Sequence, residues 1–263
     1  MITIFLVSIL LGTVSGLIAG LFGVGGGLII VPILAVVFAA QGFPADLVMI
    51  MSVATSLATI ILTSISSVLA HQRLNSVLWP KVKNLAPGIL IGAGIGAVVA
   101  EQITGNILRY VFIVYLLIIG VQMAIQFKPK PGREPSSKAL DFGASTIIGL
   151  FSSLLGIGGG TLIVPFLVHF QTPIRNAVAV ASACGLPIAI AGTIGYALLG
   201  KDALHLPAWS LGYIYLPSFF GIVLTSTYTA MLGAKLAHKL PAEKLKRYFS
   251  LLLFVMAAKL LWV

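Results

Sequence analysis

The chain has 263 residues, 59% hydrophobic and 8% charged, with 16 Lys and Arg against 6 Asp and Glu for a net charge of +10. An ordinary soluble domain carries about 25% charged residues, so the composition excludes one and points to a multi-pass membrane bundle. It also excludes a nucleic-acid binder, because the basic residues sit in short loops between apolar spans and form no stripe with interleaved aromatics.

In chain order, Met1-Ile2-Thr3-Ile4-Phe5 has no basic region ahead of its apolar run, so it reads as a first membrane segment and not as a cleaved leader. Apolar segments run over 2–23, 27–40, 45–70, 84–101 and 107–127. The run from Lys128 to Lys138 is polar and Pro-rich, and is the one linker. Five more segments follow, over 141–156, 160–170, 174–199, 208–233 and 245–263. The division is therefore a first membrane repeat at 1–127, a cytoplasmic linker at 128–140 and a second repeat at 141–263. Crossing hydrocarbon takes about 20 apolar residues. The segments opening at 27 and 160 are too short, and read as half-helices or arms of re-entrant hairpins, tolerated where protein or water covers the backbone. Cys184 is the single cysteine, which excludes an internal disulfide and a two-cysteine metal site. No metal and no cofactor is expected.

The two halves echo each other. Gly16 to Pro32 and Gly149 to Pro165 are identical at ten of seventeen positions, including G-x-G-G-G and the closing Val-Pro. Basic loops set the orientation. The loop 71–83, the linker and the loop 234–247 are basic and are placed in the cytoplasm; the regions of Asp46, Glu101 and Lys201-Asp202 are balanced or acidic and go outside. The loop after the third segment is basic in the first half and neutral in the second; the loop after the fourth is the reverse. An odd number of segments per half gives the same inversion. The expected fold is an all-α integral membrane protein with two inverted-topology repeats of five helical segments each, and both termini outside.

Glycine-broken segments at matching places in two halves point to a transporter's substrate site. A helix N-terminus offers unpaired N–H groups and partial positive charge, and glycines let an anion reach that backbone. Gly25, Gly26 and Gly27, with Gly158, Gly159 and Gly160, are the candidate anion-binding residues. The competing account is that these glycines only permit a tight hairpin and close packing. No Gly-Lys-Ser/Thr follows either copy, so neither is a nucleotide loop. Gly12, Gly16 and Gly20, like Gly88, Gly92 and Gly96, read as small-residue ladders for helix contact. Hydroxyls are dense in the third segment of each half. Most of them satisfy the preceding turn, but Thr55, Ser56 and Ser182 occupy equivalent places once the alignment of the halves is given a gap, and are candidate substrate contacts. His71, Arg73 and Arg175 are candidates for a gate or for gathering anions. All six acidic residues lie at segment ends or in loops, so no intramembrane carboxylate is evident for an ion relay.

Both G-x-G-G-G-x-x-x-x-P copies (Gly23 to Pro32, Gly156 to Pro165), Ala54-Thr55-Ser56-Leu57, Ala70-His71-Gln72-Arg73 with Asn75 and Trp79, and Ser182-Ala183-Cys184-Gly185-Leu186-Pro187 resemble the TauE/SafE sulfite exporter family, also called toluene sulfonate uptake permeases. The resemblance covers nearly the whole chain. It implies transport of sulfur-containing anions such as sulfite or organosulfonates. The chain departs from the family at Ala181-Ser182, where Thr-Ser is common.

The expected activity is therefore secondary transport, by alternating access, of a small sulfur-containing anion, with export favoured. An anion channel, or a carrier of another oxyanion or carboxylate, is the alternative within transport. A non-transporting membrane scaffold is the alternative of another class. No metalloprotease motif, aspartate pair or Ser-His-Asp grouping indicates an enzyme. The expected partners are the anion and the lipid bilayer of the cell inner membrane; the sequence leaves a homo-oligomer open.

Overall fold

A computed structural model describes residues 2–22, 26–125, 137–236 and 242–262. The first half forms α1 (Ile2–Phe22), α2 (Gly27–Ala40), α3 (Ala45–Arg73), α4 (Trp79–Gln102) and α5 (Gly105–Ala124). The second forms α6 (Lys138–Leu154), α7 (Gly160–His169), α8 (Ile174–Leu199), α9 (Leu216–Leu236) and α10 (Ala242–Leu260). The protein is thus all-α and membrane-embedded, and among the described residues six helices are long and apolar enough to cross a bilayer. At 1.5 Å per residue, α2 and α7 reach only about 21 and 15 Å, short of the roughly 30 Å of hydrocarbon.

Most boundaries shift from the sequence reading by three residues or fewer, and two shift by more. Trp79-Pro80 begins α4, so Lys81 and Lys83 lie on its first turns and the connection shrinks to 74–78. Proline is favoured at a helix start because its missing N–H has no intrahelical partner there. The apolar run from 208 is not all helix. Ser210–Leu211 (β1) pairs antiparallel with Ile214–Tyr215 (β2), with Ser210 opposite Tyr215. Gly212 makes the turn at φ +56°, the left-handed backbone that a two-residue hairpin needs and that glycine adopts most readily.

The core is α3 against α8. Val53, Ala54, Leu57 and Ile60 of α3, with Ala177, Val180, Ala181 and Ile188 of α8, are fully buried. The two helices run antiparallel. Ser67 bonds to Ser182 at 3.2 Å, Gly185 packs on Ser64, and Gly192 packs on Leu57. The helix α4 returns along the bundle, since it starts beside the end of α3 and is followed by Gly105, which packs on Asp46 at α3's start. It lies parallel to α6, and α1 lies parallel to α9. Both pairings rest on glycine. Gly88, Gly92 and Gly96 sit on the α6 backbone and side chains at Phe142, Ser145, Thr146 and Leu150. Gly12 and Gly16 sit on α9 at Ile222, Thr225, Ser226 and Thr229. These ladders are close helix contacts.

Several of the helix pairings, though not those of α2 with α10 or α3 with α5, recur when the halves are exchanged. α1 on α9 answers α6 on α4, α3 on α9 answers α8 on α4, and α2 on α3 answers α7 on α8. α3 with α8, and α5 with α10, pair with their own counterparts.

Candidate functional site: two buried helix ends

Each glycine motif turns the chain into a short helix by the same local geometry. Gly26 caps α2 at φ 80°, ψ −14°, and Gly159 caps α7 at φ 73°, ψ −8°. An L side chain is disfavoured there by roughly 1–2 kcal/mol, which explains glycine at both positions. Gly25 lies outside the described residues.

Among the described residues, neither helix end has a side-chain cap. In α2 the amides of Ile29 and Ile30 bond to Gly26 O at 3.0 and 3.1 Å; in α7 those of Leu162 and Ile163 bond to Gly159 O at 3.0 and 2.8 Å. Helix geometry gives the preceding amides, of Gly27 and Leu28 and of Gly160 and Thr161, no intrahelical acceptor. Gly26, Gly27, Gly158, Gly159 and Gly160 are all buried. A helix end buried without a cap normally needs a partner, and its partial positive charge favours an anion.

The two motifs meet. Gly27 rests on the Gly156 carbonyl and the Ile157 Cα. That carbonyl accepts a hydrogen bond from Ser56 Oγ at 2.8 Å. Gly156 is itself left-handed, φ +68°, and packs on Val31 and Val53. Gly185 of α8 packs on the Gly158 carbonyl. So α2, the α6–α7 turn, the middle of α3 and the middle of α8 converge.

The other sequence candidates fall into two groups. Ser56 is at this convergence. Thr55 is buried next to it, but its hydroxyl accepts from the Tyr215 amide at 3.0 Å, tying the hairpin to α3. Ser182 donates to Val178 O at 3.0 Å and accepts from Ser67. All three hydroxyls are thus engaged with the protein in this conformation. His71 is buried near the end of α3, whereas Arg73 and Arg175 are exposed. They share one end of the bundle, where Asn176 Nδ2 donates to Ser76 O at 2.9 Å.

The opposite end is closed by aromatics that the sequence reading did not single out. Phe38 stacks on Phe43 with centroids 4.8 Å apart, and Tyr215 meets both edge-on at 5.5 and 5.2 Å. Phe38 and Tyr215 are buried. Also missed are Ser152 and Ser153, buried in the last turn of α6. The internal repeat carries their signal, because the equivalent first-half residues are Ala19 and Gly20. Among the described residues, no group of three or more His, Cys, Asp or Glu could hold a metal ion. A groove lined by Leu117, Ile118, Val121, Gln122 and Ile125 lies along α5, apart from the glycine motifs.

Comparison with known proteins agrees with this architecture. The profile of the family described as "Sulfite exporter TauE/SafE" matches residues 8–260. A "Probable membrane transporter protein" of Haemophilus influenzae is 36% identical over 261 residues, covering 98% of each chain. One of Methanocaldococcus jannaschii is 28% identical over 250 residues, covering 94% of this chain and 92% of the relative. One of Bacillus subtilis is 23% identical over 278 residues, covering 98% and 97%. No solved structure matches the chain significantly. With six bilayer-length helices, broken short helices in both halves and this family match, the chain belongs to the TauE/SafE sulfite exporter family and is a multi-pass membrane transporter.

Proposed function

We propose that the protein is a secondary carrier that exports a small sulfur-containing anion, sulfite or an organosulfonate, by alternating access across the cell inner membrane. The observation that carries this reading is the pair of buried, uncapped helix N-termini in touching glycine turns. They supply backbone N–H groups and partial positive charge without any cationic side chain. Gly25, Gly26, Gly27, Gly158, Gly159 and Gly160 hold the anion. Thr55, Ser56 and Ser182 frame the site, and their hydroxyls turn to the anion when α3 and α8 rearrange. Arg73 and Arg175 gather anions at one mouth, beside His71.

The halves act as inverted-topology repeats with both termini outside. Support comes from the antiparallel crossing of α3 and α8, the reversal of loop charge, and the exchange of packing partners. Export needs no coupling ion. Moving one negative charge outward down a 100 mV potential, inside negative, releases about 2.3 kcal/mol, a gradient of roughly fifty-fold.

The test is purified protein in liposomes, offered sulfite, sulfate, sulfoacetate and an aryl sulfonate. Saturable exchange of a sulfur oxyanion supports the carrier. Non-saturating flux would make it a channel, and no flux of any of the four would refute the assignment.

A further inference from the structure

The two helix ends differ in what faces them. Ser152 is fully buried, and its hydroxyl has no hydrogen-bond partner among the described residues. Two other hydroxyls of α6 do bond to the preceding turn, those of Ser145 and Thr146 to Phe142 O at 3.0 and 2.9 Å. Burying a hydroxyl without a partner is costly, so this one calls for an acceptor. It faces the cap of α7, since a Cβ built on Gly159 would stand 3.3 Å from Ser152 Oγ. The equivalent neighbour of Gly26 is the methyl group of Ala19. The asymmetry repeats one step further on. Thr161, in the first turn of α7, shares a short hydrogen bond with the Tyr115 hydroxyl, and its first-half equivalent is Leu28.

We infer that the anion is seated unequally, with its oxygens at the α7 end, where the Ser152 hydroxyl donates a hydrogen bond to it. The α2 end contributes backbone alone. This rests on the reading of the helix ends as an anion site, and adds to it a side-chain donor and a polarity between the halves. Ser153 is the internal comparison. It is equally buried and equally unpartnered, but its Oγ faces Gly192 of α8, where a built Cβ would lie 2.9 Å away.

The experiment is thermal unfolding of the purified full chain, titrated with sulfite, sulfate, sulfoacetate and p-toluenesulfonate. Ser152→Ala is nearly isosteric and should fold. The expected result is roughly tenfold weaker stabilisation by the anion that binds the wild type, the loss of a hydrogen bond to a charged group. Ser153→Ala should raise the midpoint without anion and leave the affinity unchanged. If Ser152→Ala behaves like Ser153→Ala, the proposal is overturned. Gly159→Ala then separates the two claims, because weakened binding in that variant leaves the helix-end reading standing. Unchanged binding in it, or no stabilisation of the wild type by any of the four anions, overturns both.

Discussion

Replacing Gly27 by alanine places one methyl group where the two glycine motifs touch. The new Cβ would fall well inside contact with the Gly156 carbonyl oxygen, 2.9 Å from Ile157 Cα and 3.1 Å from the Gly156 carbonyl carbon. All three are backbone atoms, so no rotamer change relieves the clash. Ordinary contact begins near 3.4 Å, and the α6–α7 turn must retreat by about half an ångström or more. It has little room to do so, because Gly156 already packs on Val31 and on the α3 backbone at Val53. Overpacking of this kind costs about 1–3 kcal/mol. Displacing the carbonyl also strains the Ser56 bond, worth about 1 kcal/mol. The expected total of about 2–4 kcal/mol corresponds to a fall of roughly 4–15 °C in Tm for a chain this size. Thermal unfolding in detergent measures it. Gly143→Ala is the control, because a methyl group there meets open space and alanine is the better helix former by up to about 1 kcal/mol. A Gly27→Ala protein as stable as the wild type, or no more destabilised than Gly143→Ala, would refute the contact as described.

Gly92→Ala should lower membrane abundance before it alters substrate affinity, because its Cβ would collide with the Thr146 carbonyl at the α4–α6 seam; membrane immunoblots alongside binding show the order of the two effects. In a Cys184→Ser background, a cysteine at Asp202 should label with an impermeant thiol reagent from outside and one at Lys235 should not, both positions being exposed; labelling of both from one side would sink the inverted repeat. An inside-negative potential should speed efflux of a fully ionised sulfonate from liposomes and slow its influx, while a pH gradient at zero potential should not move it. Uphill movement driven by protons alone would reveal a relay, with His71, His169 and Asp141, whose carboxyl is buried in the first turns of α6, as the groups to replace first.

The helices were legible because apolar length and glycine punctuation act locally. The starts of α2 and α7 follow from the left-handed backbone that Gly26 and Gly159 adopt, and the ladders on α1 and α4 lie where four-residue spacing puts them. What escaped the sequence was longer in range or chemically disguised. Lys81 and Lys83 looked like loop because charge outweighed the helix-starting Trp79-Pro80. The β1–β2 hairpin looked like helix because Leu211, Tyr213, Ile214 and Tyr215 are as apolar as a span, and only Gly212 marked the turn. Thr55 is legible as a candidate substrate contact, but that its hydroxyl also holds the Tyr215 amide from 160 residues away is a pairing with no local signature. Ser152 was visible as the partner of Ala19 in the repeat, but its lack of a bonding partner is a property of the packed structure alone.

The central claim is that the anion is held by the backbone at the glycine-capped helix ends, and exchange kinetics of Gly159→Ala in proteoliposomes test it most directly. The added Cβ would meet the Ile188 side-chain tip at 2.6 Å and Ile163 at 3.0 Å, with left-handed strain of roughly 1–2 kcal/mol, so folded protein should be recoverable. The account predicts that this folded variant exchanges the anion with a KM raised at least tenfold, or not at all, while Gly143→Ala matches the wild type. A folded Gly159→Ala protein with wild-type KM and rate would contradict it.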